Sequence, residues 1–195
     1  MTTSVVVGWT SNYASEKLRD MGLNSEEIFM VHLVASLSVM GYSKYKKNKV
    51  NINTKISSEM EKKILEGQRK SPTKNEVIGG HSQVINNNNN IFAVEELSIN
   101  PDGTKNIKFI KDFQDGNISK IKKSTIFPDS WNDSKIIDSI RKVGDSPTVS
   151  VRQMDGSTWH RQIIDGVEID VIKLGDDVIS GYPTGKVNAP KPSGF

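Results

Sequence analysis

The 195-residue sequence contains no cysteine, which excludes disulfide scaffolds, thiolate zinc sites and cysteine nucleophiles together. Histidine is scarce: only His32, His81 and His160 occur, and no two stand four apart as a helix-borne zinc pair requires. Long apolar runs are missing too. A membrane-spanning helix needs about 18 apolar residues in succession, and the richest stretch, Ile28–Met40, is broken by His32, Ser36 and Ser38. A secretory leader opens on basic residues before an apolar core, yet no lysine or arginine precedes Lys17. Neither a leader nor a membrane span is therefore expected. The sequence also lacks a phosphate-cradling glycine loop, a dinucleotide fingerprint and a Gly-x-Ser-x-Gly elbow. Pro128-Asp129 is present, but Asp170 and Lys173 are spaced to fall on opposite faces of a strand, which removes a metal-dependent nuclease site of the Pro-Asp…(Asp/Glu)-x-Lys kind. No metal and no cofactor are expected.

What is there is charge, unevenly placed. Residues 1–43 and 75–195 are each slightly acidic, whereas residues 44–74 carry ten basic and three acidic groups. A block of that sign attracts phosphate backbones and releases their counterions. Lys44, Lys46, Lys47 and Lys49 are interleaved with Tyr42 and Tyr45, which are able to stack on bases, and Arg69 belongs to the same block. The same composition also describes a solvated linker. On charge alone, RNA binding and a plain linker both stand.

The pattern along the chain divides in two. Residues 14–21 read as a short amphipathic helix closed by Gly22, and Asn24 or Ser25 caps a second helix running to Met40. Glu26 and Glu27 sit in its first turn, and its apolar residues surround much of its circumference. His32 on that face reads as a satisfied core histidine. Ser57–Glu66 is a third helix, ending at Gly67. From residue 75 the texture turns to short β-rich runs, with strands expected at 91–99, 106–113, 148–153, 157–164, 167–174 and 178–182. The turns between them fall at Asp102-Gly103, Asp115-Gly116, Asp155-Gly156, Asp165-Gly166 and Gly175-Asp176. A helix over 130–143 places Trp131, Ile136, Ile137 and Ile140 on one face. The five asparagines 86–90 read as a loop, and the tail 185–195 as an extended surface segment. The fold class is α+β: a helical N-terminal segment over 1–70, with a basic linker, followed by a twisted antiparallel sheet domain over 71–195.

Few groups remain to carry chemistry. His81 follows Gly79-Gly80, a pair that lets the backbone come close to a ligand or adopt conformations closed to other residues. His160 stands beside Arg161 on an expected strand, where the plain alternative is a surface residue. Histidine, lysine, serine or threonine, and tyrosine are the groups that RNA cleavage without a metal requires. A base takes the 2′-hydroxyl proton, a cation offsets the added charge on phosphorus, and an acid protonates the departing 5′-oxygen. Imidazole, with an unperturbed pKa of ~6.5, suits the acid or base role, and lysine or arginine the cation.

Three motifs in order resemble a known family. Gly79-Gly80-His81-Ser82, then Lys122 through Trp131 (Lys-Lys-Ser-Thr-Ile-Phe-Pro-Asp-Ser-Trp), then Ser180-Gly181-Tyr182-Pro183 are similar to the bacterial EndoU-type ribonuclease toxins. Those domains sit at the C-termini of contact-dependent growth inhibition proteins and other polymorphic toxins. The resemblance covers about residues 60–185. It implies an EndoU/barnase-like ribonuclease superfold, with His81 matching a catalytic histidine and Lys123, or its neighbour Lys122, a catalytic lysine. Thr125 belongs to the same block. Ser180 and Tyr182 match a Ser/Thr-x-Tyr pair facing the base and the scissile nucleotide. The family usually carries a further histidine upstream, in a segment like His-Ile-Leu-x-Gly, where this chain has Lys63-Ile64-Leu65-Glu66-Gly67. Either Lys63 or another group, such as Arg69, His160 or Arg161, takes that place, or the site has diverged.

The resemblance further implies an antibacterial toxin, secreted or delivered from a cell surface and acting as a monomer in the cytoplasm of a neighbouring bacterium. Its substrate would be RNA, expected to be tRNA, cut to leave 2′,3′-cyclic phosphate, and a cognate immunity protein would block the site. Residues 1–70 would then be the delivery segment and 71–195 the nuclease. Two rival readings stay open: a non-enzymatic nucleic-acid or protein adaptor built on the basic block, and a toxin domain that has lost catalysis.

Overall fold

The structure, a computed structural model, describes residues 54–195 and, before them, Asp20, which is helical. Apart from Asp20, the helices expected over 14–21 and 25–40, His32, and Lys44, Lys46, Lys47 and Lys49 lie outside the described residues. The chain divides into two units, Met1–Lys49 and Val50–Phe195, and the elements named below belong to the second.

Helix α1 spans Ser58–Glu66. The Ser57 hydroxyl caps it by accepting from the Met60 amide at 3.2 Å, and Glu59 and Glu61 lie in its first turn, where the helix dipole favours acids. A hairpin of β1 (Gln68–Ser71) and β2 (Lys74–Ile78) follows. Strands β3 (Phe92–Ile99), β4 (Lys105–Lys111) and β5 (Lys122–Ile126) make an antiparallel sheet in that order. Helix α2, Asp133–Gly144, is capped by Asn132, whose side chain accepts from the Lys135 amide. A second antiparallel sheet closes the chain with β6 (Ser150–Val151), β7 (Thr158–Ile164), β8 (Val167–Leu174) and β9 (Asp177–Pro183).

Two apolar clusters hold these layers. The stripe Ile136, Ile137, Ile140 and Val143 of α2 packs with Val167, Ile169 and Val171 of β8, joined by Ile64 of α1 and by Phe127 and Trp131, whose rings stack with centroids 5.3 Å apart. Each of these buried side chains contributes up to about 1.5–3 kcal/mol relative to exposure. The second cluster gathers Val77, Ile85, Phe92, Ile107, Phe109 and Ile126 under the β3–β5 sheet. Helix α1 sends Ile64 into the first cluster, and the carbonyls of its last turn bind the chain after β2.

The other face of β8 carries Glu168 and Asp170, both buried. Arg161 of β7 binds the Asp170 carboxylate with Nε and Nη2 at 2.6 and 2.7 Å, and the Trp159 indole donates to it at 2.7 Å. Glu168 accepts from the amides of Asn188 and Ala189, and Arg161 donates to the Ala189 carbonyl. The tail expected to lie extended is thus an irregular strap, strung back over β7 and β8, with Phe195 against Trp159 and Arg152.

The α+β class with antiparallel sheets agrees with the sequence, but several elements differ. No strand was expected at β1, β2 or β5, and the strand expected over 148–153 shrinks to Ser150–Val151. The three strands without a sequence signal share a cause. Gln-Arg-Lys-Ser and Lys-Lys-Ser-Thr-Ile carry too few apolar residues to show a two-residue period, so tertiary pairing makes the strand, not local propensity. Among the described residues, no helix is long and apolar enough to cross a membrane.

Candidate active site

Helix α1 ends against the segment after β2, and that contact creates the site. The last carbonyls of a helix have no partner within it. Here the Lys63 carbonyl accepts from Gly80, Ile64 from His81 at 2.8 Å, and Leu65 from Ser82. The amide of Phe127 then binds the His81 carbonyl at 2.9 Å. His81 is therefore fixed from both sides along its backbone. Gly79 makes the approach feasible: its φ is +75°, and a Cβ there would lie 1.9 Å from the Lys63 carbonyl oxygen.

His81 opens into a cleft of about 480 Å³ that four chain segments enclose. Lys63 and Ile64 come from α1, Ile78, Gly79 and His81 from the segment after β2, Lys122–Thr125 from β5, and Ser180–Pro183 from β9. The wall holds one imidazole, three lysines and no carboxylate. Such a wall attracts phosphate and offers a hard cation no carboxylate to offset its charge. Among the described residues, no group of three or more histidine or acidic side chains is placed to share a metal ion.

The His81 Nδ1 lies 2.8 Å from the Thr125 carbonyl oxygen, so that nitrogen carries the proton and Nε2 is left as the acceptor. Ser124 donates its hydroxyl to the Gly80 carbonyl and stands 3.2 Å from the same Nδ1. Burial pushes the imidazole down to about 4, the charge of Lys122 adds to that, and the Thr125 carbonyl opposes it. His81 is thus neutral at neutral pH and equipped to accept a proton. Its ring faces Tyr182 at a centroid distance of 6.0 Å. Burial first, then the Asp170 charge, raises the Tyr182 hydroxyl to about 12, so it stays a donor. Burial also lowers Lys63 and Lys122 below the ordinary lysine value.

Of the residues singled out in the sequence, the cleft collects His81, Lys63, Lys122, Lys123, Thr125, Ser180 and Tyr182. Thr125 contributes its carbonyl to His81, while its hydroxyl donates to Asn106. Lys122 and Lys123 alternate across β5: Lys122 is half-buried and its charge reaches His81, whereas Lys123 is exposed and pairs in register with Lys108.

Three other candidates lie elsewhere. Arg69 forms an ion pair with Asp115 at 2.6 Å, donates to Asn75 and lies 4.5 Å over the Phe113 ring, in a separate hollow. His160 is buried, not on the surface, with Nδ1 2.8 Å from the Ser146 carbonyl and Nε2 2.9 Å from the Thr158 hydroxyl. Arg161 is committed to Asp170, Glu168 and the strap. It still bears on the site indirectly, since Arg161, Asp170 and Tyr182 are register partners across β7, β8 and β9. Ser124 also lines the cleft, with no sequence signal that sets it apart from its neighbours in the motif. Its hydroxyl was recognisable only once the Gly80 carbonyl stood beside it.

A family model described as "Bacterial EndoU nuclease" matches residues 57–185. Neither a curated protein nor a solved structure matches the chain.

Proposed function

Because the chain belongs to the bacterial EndoU nuclease family and is an endoribonuclease, we propose that the cleft around His81 is its RNA-cleaving centre and that it works by attack of a ribose 2′-hydroxyl. The observation that carries this reading is the convergence of a neutral, tautomer-fixed imidazole with lysines and a tyrosine in one carboxylate-free cleft. His81 Nε2 takes the 2′-hydroxyl proton, and the oxygen attacks the adjacent phosphorus. The ammonium of Lys122, with Lys123 at the rim, offsets the charge that gathers on the phosphoryl oxygens. Tyr182 packs against or donates to the nucleotide, and Ser180 faces the base. Loss of the 5′-oxygen leaves a 2′,3′-cyclic phosphate.

The finer reading is a delivered antibacterial toxin acting on tRNA in a target cell and restrained by an immunity protein. The sheets take the EndoU/barnase-like arrangement, the N-terminal segment serves delivery, and the nuclease unit begins early enough to include α1, whose carbonyls hold the His81 turn. Incubation of the purified chain with total tRNA in EDTA tests the chemistry. Fragments should carry 2′,3′-cyclic phosphate and 5′-hydroxyl ends. A requirement for a divalent ion, with 5′-phosphate ends, would refute it.

The pH profile follows from the imidazole. Its folded value lies below the unfolded ~6.5, so the unfolded chain binds the extra proton between those values. Stability contributed by neutral His81 is complete above ~6.5 and is lost as pH falls towards about 4. Cleavage needs the same neutral ring, so its acid limb should inflect near 4. An inflection at the ordinary histidine value in kcat/KM would show that the reacting base is not the desolvated imidazole described here.

A further inference from the structure

The mechanism so far has a base and a cation but no acid. His81 cannot supply the proton in the same step, because its one N–H is engaged with the Thr125 carbonyl and its free nitrogen accepts. A leaving 5′-alkoxide is a poor leaving group in water, and a positioned donor beside it is worth ~10²–10⁴-fold.

We infer that Lys63 is that donor: its ammonium protonates the departing 5′-oxygen while His81 removes the 2′-proton. This rests on the reading of the cleft as a centre for 2′-hydroxyl attack. Lys63 lines the same cleft as His81. Its Nζ is fastened to β9, donating to the Ile179 carbonyl at 2.9 Å, whereas the imidazole is fastened to β5. One of the three ammonium hydrogens is used there, and two remain. The backbone of Lys63 also carries the His81 turn through its carbonyl, so base and acid are set by one helix end. The rival donors are weaker on their own chemistry. Tyr182 is raised by burial, which makes it a poorer acid, and serine hydroxyls are poorer still. Lys122 is the lysine whose charge reaches His81, which fits charge stabilisation near the attacking side. Desolvation lowers Lys63 as it lowers Lys122, so both ammoniums release a proton more readily than an exposed lysine, and it is position that separates their roles.

The protons balance. Lys63 gives one to the 5′-oxygen as the P–O5′ bond breaks, and His81 gains one as the P–O2′ bond forms. Between turnovers water takes the proton from His81 and another returns to Lys63.

The test compares two oligoribonucleotides, one with the natural 5′-oxygen and one with sulfur at that bridging position, whose thiolate leaves without protonation. Lys63→Ala should slow cleavage of the oxygen substrate by ~10²–10⁴-fold and regain most of that on the sulfur substrate. Lys63→Arg should behave in the same way, because a guanidinium keeps the charge but does not release its proton. His81→Ala should be slow on both. Equal slowing of Lys63→Ala on the two substrates, or near-full activity of Lys63→Arg on oxygen, would overturn the assignment. If Lys63→Ala fails to fold, the arginine variant decides alone. Wild-type protein inactive on both substrates would instead overturn the reading of the cleft.

Discussion

Replacing His81 by alanine should reduce RNA cleavage by ~10²–10⁴-fold, about 3–5 kcal/mol of activation free energy, and leave a cooperatively folded protein. The separation of the two effects is structural. The turn is held by the amides of Gly80, His81 and Ser82 on the carbonyls of α1, and by Phe127 on the His81 carbonyl. None of these bonds involves the imidazole. The variant frees the Thr125 carbonyl, which borders an open cleft and finds water there. Initial rates on RNA beside a urea unfolding curve give both answers. Near-full activity would move the site away from His81, and an unfolded variant would make the Gly-Gly-His turn a structural device only.

The second large effect belongs to a residue with no side chain. Gly79→Ala should destabilise the protein by about 3 kcal/mol or more, at the severe end for a single substitution, and take activity down with it. Two causes combine. The backbone sits at φ +75°, where an L-residue is strained by roughly 1–2 kcal/mol, and the new Cβ would fall 1.9 Å from the Lys63 carbonyl oxygen and 2.8 Å from its carbon. Both are backbone atoms at a helix end and cannot swing aside. Gly116 separates the causes: its φ is +80°, but a Cβ there meets nothing within 4 Å. Gly116→Ala should therefore lose only the conformational part. Equal unfolding midpoints for the two variants would show that α1 does not press on the His81 turn as tightly as described.

The sequence revealed some of this architecture and hid other parts for definite reasons. The β7–β8 hairpin was legible because Val167, Ile169 and Val171 alternate with Glu168 and Asp170, and because Asp165-Gly166 is a turn pair that takes positive φ at both positions. Helix α2 announced itself through its isoleucine stripe. Strand β5 did not, although it carries the carbonyl that fixes His81, since Lys122-Lys123-Ser124-Thr125 has no apolar rhythm. His160 reads as a surface residue because the segment that covers it, the turn after α2 whose Ser146 carbonyl meets its Nδ1, lies 14 residues away in sequence with no spacing to mark the contact. Proximity within the site was the least legible feature. Lys123 and Tyr182 lie 42 and 101 residues beyond His81, and no spacing rule joins them. Only the resemblance of three motifs in order suggested that they belong together. The substitution of lysine for histidine at Lys63 was visible as a departure, but its place against β9 was not.

The assembly of the cleft from α1, the segment after β2, β5 and β9 has a kinetic consequence. Contacts between residues so distant in sequence are slow to form, because loop-closure entropy is lost before the contacts repay it. The carbonyl that sets the His81 tautomer and the strand that anchors the Lys63 ammonium are separate pieces of chain, so neither a nascent nor a partly unravelled polypeptide holds the reacting groups together. On the proposed reading of the cleft, competence to cut RNA is then expected to require the long-range pairings that bring these segments together. On that reading, a chain of this design is expected to leave nearby RNA intact while it is unfolded.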